Sequence, residues 1–308
     1  MDNIDHTFDK FPNVLDASTL EKAARCLRKV YWSNIRNKAD PATNPHLNAG
    51  GAYAMALFTF RKLYFEECKT FVEARALAVI ELTKAYGTYD PPKDKSHKAW
   101  INVVYAFIFY LEYYPPSSDA IKPYKINDKA CLEFSFAIPL PINHPDTGQP
   151  LLYGGRSDML GEDPTGVVYV EDDKTTGAMG PKWHEQWLMR GQFTGYIWAA
   201  KIYGYPVNGG IIRGVSIQKT QNKHLQMPIF RSQWEIDRWY ETMLDTVQMM
   251  VDAYKAKKWP ANGAVNNVCT MYGTCPYMTL CRTREPEKAM GNYIDYHWSP
   301  VKEANEDV

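Results

Sequence analysis

The sequence has no excess of charge of either sign. Its 35 Lys and Arg balance 35 Asp and Glu, for a net charge of zero and a pI near 7.0. That excludes a protein coating nucleic acid by bulk charge; any such binding has to use a local patch. Long hydrophobic runs are missing too. The most apolar stretch, 101–111, is interrupted by Asn102 and followed by Glu112. It falls well short of the roughly 20 residues a membrane span needs, and a buried helix is expected instead. Met1 to Pro12 carries Asp2, Asp5 and Asp9 and no apolar core, so a signal peptide is not expected. Internal repeats and low-complexity blocks are absent. Cysteine is sparse, with six residues, and in a chain read as intracellular these are expected to be thiols or metal ligands rather than disulfides. What is present is a globular composition, 45% hydrophobic and 23% charged, which excludes general disorder. Aromatics are plentiful, with 9 Trp and 21 Tyr, and 308 residues suit one large domain or two small ones.

The pattern along the chain changes near residue 130. Before it, Ser18-Thr19-Leu20-Glu21 reads as a capping box opening a helix to about Asn37, with a basic face of Lys22, Arg25, Arg28, Lys29, Arg36 and Lys38. Apolar helical stretches follow over 53–86 and 100–114, the second broken by Pro115-Pro116. After it, 131–140 alternates like a strand, and 151–160 and 167–172 read as two more, joined by the turn Asp163-Pro164-Thr165-Gly166. A helix is expected over 182–203 and a strand over 210–218. Ser232-Gln233-Trp234-Glu235 opens a last helix to about Lys257, before Pro260. A Cys-rich tail covers 266–284, and Glu303 to Val308 is expected to fray. Helices, three strands, helix, strand, helix and tail make an α/β core with a helical elaboration in front.

The informative segment is Gly155-Arg156-Ser157-Asp158 followed by Glu171-Asp172-Asp173-Lys174. A hairpin centred between Pro164 and Thr165 puts Asp158 opposite Glu171 or Asp172. Asp172 and Lys174, two apart, share one face of their strand. Two carboxylates and an ammonium then converge, and hard cations such as Mg2+ or Mn2+ favour such oxygen ligands. The competing reading is a surface hairpin with solvated charges. On the next helix Gln192 and Tyr196, four apart, share a face.

In this order and spacing, Gly-x-x-Asp, Asp-x-Lys-Thr and Gln-x-x-x-Tyr, the sequence resembles the PD-(D/E)XK nuclease superfamily, in its RecB-like branch. The resemblance covers about 131–218. It implies a restriction-endonuclease-like α/β core, a central mixed sheet flanked by helices, within a single domain over 1–308. The parts are a helical segment over 17–115, the catalytic core over 130–220, and a C-terminal helix with a Cys-rich metal-binding tail over 232–283. Asp158 and Asp172 would be metal ligands, Asp173 would lend its backbone carbonyl, and Lys174 would be the catalytic lysine. Gln192 and Tyr196 would position the DNA backbone or that lysine. Glu133 matches a further acidic position, a metal ligand or an ordinary strand Glu. The branch usually carries Gly-x-x-His upstream; here Gly50-Gly51-Ala52-Tyr53 has Tyr in the His slot, and His46 lies one turn before it.

Cys269, Cys275 and Cys281 are spaced C-x5-C-x5-C, with Cys26 far upstream as the fourth candidate ligand. Four thiolates suit a [4Fe–4S] cluster, as in many RecB-like nucleases; structural Zn2+ and free thiols are the alternatives. Cys68 and Cys131 read as small core residues. Lys182, Trp183 and Arg190, near Trp187, could stack bases and hold phosphates of a single strand, while Trp187 itself reads as core. Lys219, Lys223 and His224, and Lys22, Arg25 and Arg28, are two further basic patches. The expected function is a metal-dependent DNA nuclease acting on single strands or duplex ends in recombination, repair or phage DNA processing. Its expected place is the cytoplasm of a bacterium or phage-infected cell, with a helicase or recombinase as candidate partner and no membrane. A non-catalytic DNA-binding or complex-forming module on the same fold is the alternative.

Overall fold

Six helices and six strands carry the architecture of the computed structural model, which describes residues 4–42, 44–271 and 273–301. In chain order the helices are α1 (Ala17–Arg25), α2 (Pro45–Arg61), α3 (Phe71–Tyr86), α4 (Trp100–Tyr113), α5 (Gly191–Ile202) and α6 (Gln233–Lys255). The strands are β1 (Val14–Leu15), β2 (Leu132–Asn143), β3 (Pro150–Glu162), β4 (Val168–Thr176), β5 (Val207–Ser216) and β6 (Lys223–Ile229). The result is mixed α/β with a mixed sheet flanked by helices. The chain divides into two compact units: Met1–Ala42 with Ser135–Gly155 and Gln233–Val308, and Thr43–Phe134 with Arg156–Ser232. The fraying expected at Glu303 to Val308 lies outside the described residues. Among those described, no helix is long and apolar enough to cross a membrane.

The second unit holds the acidic hairpin. β3 pairs antiparallel with β4, β4 parallel with β5, and β5 antiparallel with β6. Helices α2 to α4 cover one face: their apolar residues, among them Tyr53, Phe60, Leu82 and Phe107, form a buried cluster with Val215 of β5 and Ile217 just beyond it. On the opposite face Phe193 of α5 reaches the backbone of Gly210. This follows from the period of two: in β5, 211, 213 and 215 face one side and 210, 212 and 214 the other. The apolar run expected as one helix over 53–86 is two. Cys68 takes a left-handed φ of 53°, and Thr70 with Glu73 makes a capping box that restarts the chain as α3. The strand β6 had no counterpart in the sequence pattern, because its apolar residues alternate only weakly between Lys223 and Ile229. The helix expected over 182–203 begins instead as a tight turn over Trp183–Trp187, and α5 starts only at Gly191.

In the first unit, β1 runs parallel to the start of β3, with Leu15 beside Tyr153. Trp239 of α6 packs edge-on against Tyr153 at 5.6 Å. The cap of α1 is not Ser18 but Asp16, whose carboxylate accepts the Thr19 N–H at 2.9 Å. The first helix is also shorter than expected, ending at Arg25, with Leu27–Val30 as a separate turn. The basic face expected on it is largely consumed. Arg28 is buried and donates to the Trp259 carbonyl, Arg36 is buried in a two-pronged pair with Glu287 at 3.0 and 3.2 Å, and Arg25 pairs with Glu21 at 2.6 Å. Lys38–Ala39 pairs antiparallel with Ile294–Asp295, and the Tyr277 hydroxyl donates to the Lys38 carbonyl, so the tail is tied to the N-terminal segment.

The tightest backbone approach lies in the sheet of the second unit. A methyl on Gly209 would sit 2.5 Å from the Ile229 carbonyl oxygen of the neighbouring strand. Gly209→Ala is therefore expected to cost about 1–3 kcal/mol, because backbone rather than a flexible side chain must move. Urea unfolding at constant m-value checks this.

Candidate active site

The site is built by β4, whose four consecutive charged residues divide between its two faces. Glu171 and Asp173 point one way, Asp172 and Lys174 the other. The hairpin register places Met159 opposite Glu171, so Asp158 falls one step further on, across from Asp172. The Asp173 N–H donates to Asp158 Oδ2 at 2.7 Å, and Lys174 Nζ donates to Asp172 Oδ1. Asp158, Asp172 and Lys174 thus converge. Asp172 is buried, Asp158 half-buried, and the Lys174 ammonium stands 5.8 Å from the centre of the Phe193 ring on α5. From the same helix, Gln192 Nε2 donates to the Tyr196 hydroxyl at 2.8 Å.

The carboxyl pair is electrostatically unsatisfied. Loss of solvent raises Asp158 well above the usual carboxylate range, and the charges of Asp172 and Asp173 push the same way, against Lys174. Loss of solvent also raises Asp172, opposed chiefly by Lys174, and Asp158 lies within hydrogen-bonding reach of it. Two such carboxyls side by side disfavour ionisation of both, and beyond the Lys174 ammonium a proton or a bound cation would relieve the second charge.

The other face of β4 carries a buried ion network that the motif reading missed. Arg61 of α2 reaches Glu171 at 2.6 Å and Asp173 at 2.8 Å. Arg213 of β5 makes two 2.7 Å hydrogen bonds to Asp119 and lies 3.7 Å from Glu171. The Tyr110 hydroxyl accepts from both arginines, at 3.0 and 3.2 Å. Glu171, fully buried, is pushed up to about 7 by loss of solvent despite both guanidiniums. The sequence signal for this network was the unbroken charged run 171–174, which no single solvated face accommodates.

Several expected site residues lie elsewhere. The Asp173 carboxylate is engaged by Arg61, so only its backbone faces Asp158. Glu133, at a left-handed φ of 53°, pairs with Arg156 at 3.3 Å. Tyr53, where the resemblance leads one to expect His, is buried 6.1 Å from the Tyr110 ring, and its hydroxyl finds no hydrogen-bond partner among the described residues. Trp183 is buried against Gly214 and 5.3 Å from Trp187, so its ring is not open for base stacking. Lys182 is exposed; Arg190 is half-buried over the Trp187 ring at 5.7 Å. His224 stacks on Tyr113 at 4.8 Å, which removes it from the basic patch expected with Lys219 and Lys223.

In the first unit, the four cysteines singled out for a cluster are neighbours. A methyl on Gly263 would lie 2.9 Å from Cys269 Sγ and 3.5 Å from Cys26 Sγ. The Cys275 N–H donates to the Cys269 carbonyl at 2.8 Å. Burial pushes up the Cys281 thiol, and the charges of Cys275 and Cys26 add to the rise. All are free thiols. Among the described residues no group of three or more His, Cys, Asp or Glu is arranged to hold a metal ion, at the carboxylates or at the thiols.

Two outcomes test this electrostatic picture. Because its folded pKa is raised, Asp158 contributes stability only while protonated, and that contribution is lost as pH rises through the raised value. In chelator, Asp158→Asn should therefore unfold at higher urea than wild type at neutral pH, the gap closing as pH falls toward about 4. Arg61→Met leaves Glu171 and Asp173 without their shared partner and should cost about 3–5 kcal/mol by the same measurement.

No family model matches the sequence, and no curated protein matches it. Among solved structures, the chain is similar to SSO0001, at 13% identity and a TM-score of 0.38, over 89% of this chain and 87% of that one. It is also similar to a protein from Eubacterium rectale described as a "putative exonuclease", at 10% identity and a TM-score of 0.44, over 85% and 89% of the two chains.

Proposed function

We propose that the chain is a divalent-metal-dependent deoxyribonuclease with a RecB-like PD-(D/E)XK core, cutting phosphodiester bonds as an exonuclease on single strands or duplex ends. The observation that carries this reading is the facing pair Asp158 and Asp172 with Lys174 beside it. The pair needs a positive partner, and Mg2+ or Mn2+ is commonly held by one or two carboxylates, the remaining positions going to water and phosphate oxygens. Asp158 and Asp172 would hold it, with the Asp173 carbonyl as an auxiliary ligand. Such an ion supplies Lewis acidity toward a phosphoryl oxygen and lowers the pKa of an attacking water. Lys174 orients that water and stabilises charge developing on the phosphoryl group. The Gln192–Tyr196 pair on α5 holds the DNA backbone or Lys174 in place, and the exposed Lys182 and half-buried Arg190 supply positive charge along the same segment.

In type and number the four thiols Cys26, Cys269, Cys275 and Cys281 match the donor set of a [4Fe–4S] cluster, which would have to draw them closer than they stand. They lie together within one unit, joined to no disulfide. The cluster would tie the C-terminal tail to the first helix. Structural Zn2+ is the alternative occupant of the same thiols. Recombination, repair or phage DNA processing, with a helicase or recombinase alongside, is the setting this chemistry suits.

The second reading, a DNA-binding or complex-forming module without catalysis, draws on Tyr53, which puts a core phenol where the family has an imidazole. The two separate cleanly. With Mg2+ or Mn2+, wild type should degrade labelled DNA, and Lys174→Ala should lose about 10^2–10^3-fold in rate. Equal inactivity of both across single-stranded and duplex substrates selects the module. Anaerobically purified protein should be coloured and hold iron and sulfide, and Cys281→Ser should lose both; a colourless protein with stoichiometric zinc rejects the cluster.

A further inference from the structure

The end of β4 has a second group of titratable side chains that the proposed chemistry does not use. Helix α2 runs beside this strand. Tyr53 feels the charge of Asp173, and a methyl on Gly50 would lie 3.2 Å from Thr175 Oγ1. His46, one turn before Gly50, reaches Gly177, just past the strand. His97 arrives from the turn before α4. A methyl on Gly177 would lie 3.0 Å from His97 Nε2 and 3.7 Å from His46 Cε1, so the two imidazoles flank this backbone from nearby positions, with ring centres 6.3 Å apart. Lys95, Lys98 and Lys219 all act on His97 by charge, and Lys95 and Lys98 on His46. Asp94, a carboxylate that also acts on His97, is 3.5 Å from Lys95.

Two imidazoles alone suit either a transition metal or an anion. The lysines decide it: a cation would be repelled, and no third metal donor joins the pair among the described residues. His97 Nε2 is buried against Gly177 with no hydrogen-bond partner among those residues, so it is an uncompensated polar atom that a ligand oxygen would satisfy once the ring turns outward. Lys98 Nζ and Gln218 Nε2 donate to the carbonyls of Thr176 and Gly177, which fixes the loop that separates the rings.

We propose that His46 and His97, backed by Lys95 and Lys219, form a phosphate-ester subsite at the C-terminal tip of β4. Resting on the nuclease reading, the ester is a backbone phosphate of the strand whose neighbouring phosphodiester lies at Asp158, Asp172 and Lys174. Gly177 is three residues beyond Lys174, about 10 Å of extended chain, so one strand can touch both. At the tip the two faces of β4 meet, and ligands of α/β sheets gather at such strand ends.

The test uses the full chain in chelator, with histidine-15N label. On titration with inorganic phosphate, the ring nitrogens of His46 and His97 should shift together and saturate, and Gly177→Ala, whose methyl would press on His97 Nε2 at 3.0 Å, should weaken the response. Unmoved rings overturn the subsite. In parallel, binding of a fluorescein-labelled oligo-dT should weaken about tenfold in the His46→Asn/His97→Asn variant, with a shallower salt dependence, while its melting temperature stays that of wild type. If wild type cleaves DNA and the double variant binds and cleaves equally well, the subsite is wrong and the nuclease reading stands. If wild type neither binds nor cleaves DNA yet both rings follow phosphate, the anion site stands, its ligand is a free phosphate ester, and the nuclease reading falls.

Discussion

Four charged residues in succession on a central strand are the constraint around which the second unit is organised. A strand alternates its side chains, so 171–174 sends two charges into each of two covered faces. Neither pair is left in bulk water, and each requires compensation. On one face the compensation is internal. Three carboxylates, Asp119, Glu171 and Asp173, meet two guanidiniums, Arg61 and Arg213, with the Tyr110 hydroxyl accepting from both. The excess of one negative charge agrees with a Glu171 pushed up to about 7. Such a network adds little net stability over an apolar packing of the same volume, but breaking it strands an ion, so it holds one register of β4 against α2 and β5.

On the opposite face the compensation is incomplete. Lys174 supplies one ammonium against Asp158 and Asp172, and both carboxyls rise above their ordinary range. A sheet that neutralises one face with two arginines and leaves a carboxylate pair on the other has local electrostatics that work against stability. The two faces are joined through one residue: Arg61 pairs with the Asp173 carboxylate, and the Asp173 N–H donates to Asp158.

Positive charge is distributed by the same logic. The arginines that look like a nucleic-acid surface in the sequence, Arg28 and Arg36, are buried in internal contacts, because a guanidinium has enough donors to be satisfied inside a protein. Aromatic residues behave alike. Trp183 fills the space above Gly214, a position with no side chain of its own. Lys182 stays exposed, and two imidazoles with Lys95 and Lys219 gather around Gly177 at the tip of β4.

The sequence alone determined the elements around the carboxylates. A turn of Asp, Pro, Thr and Gly between two apolar runs dictates the hairpin, the period of two places Asp172 with Lys174, and the period of 3.6 places Gln192 with Tyr196; each is a local rule and each describes the molecule found. Local rules missed both the Thr70 cap and β6, because a cap inside an apolar run and a weakly alternating strand look like their surroundings. Tertiary structure decided which charges are shared. Arg61 lies 110 positions from Glu171, and Arg213 lies 94 from Asp119; no spacing links them. Their pairing follows from burial, which makes an unpaired charge costly only once the helices have closed over the sheet.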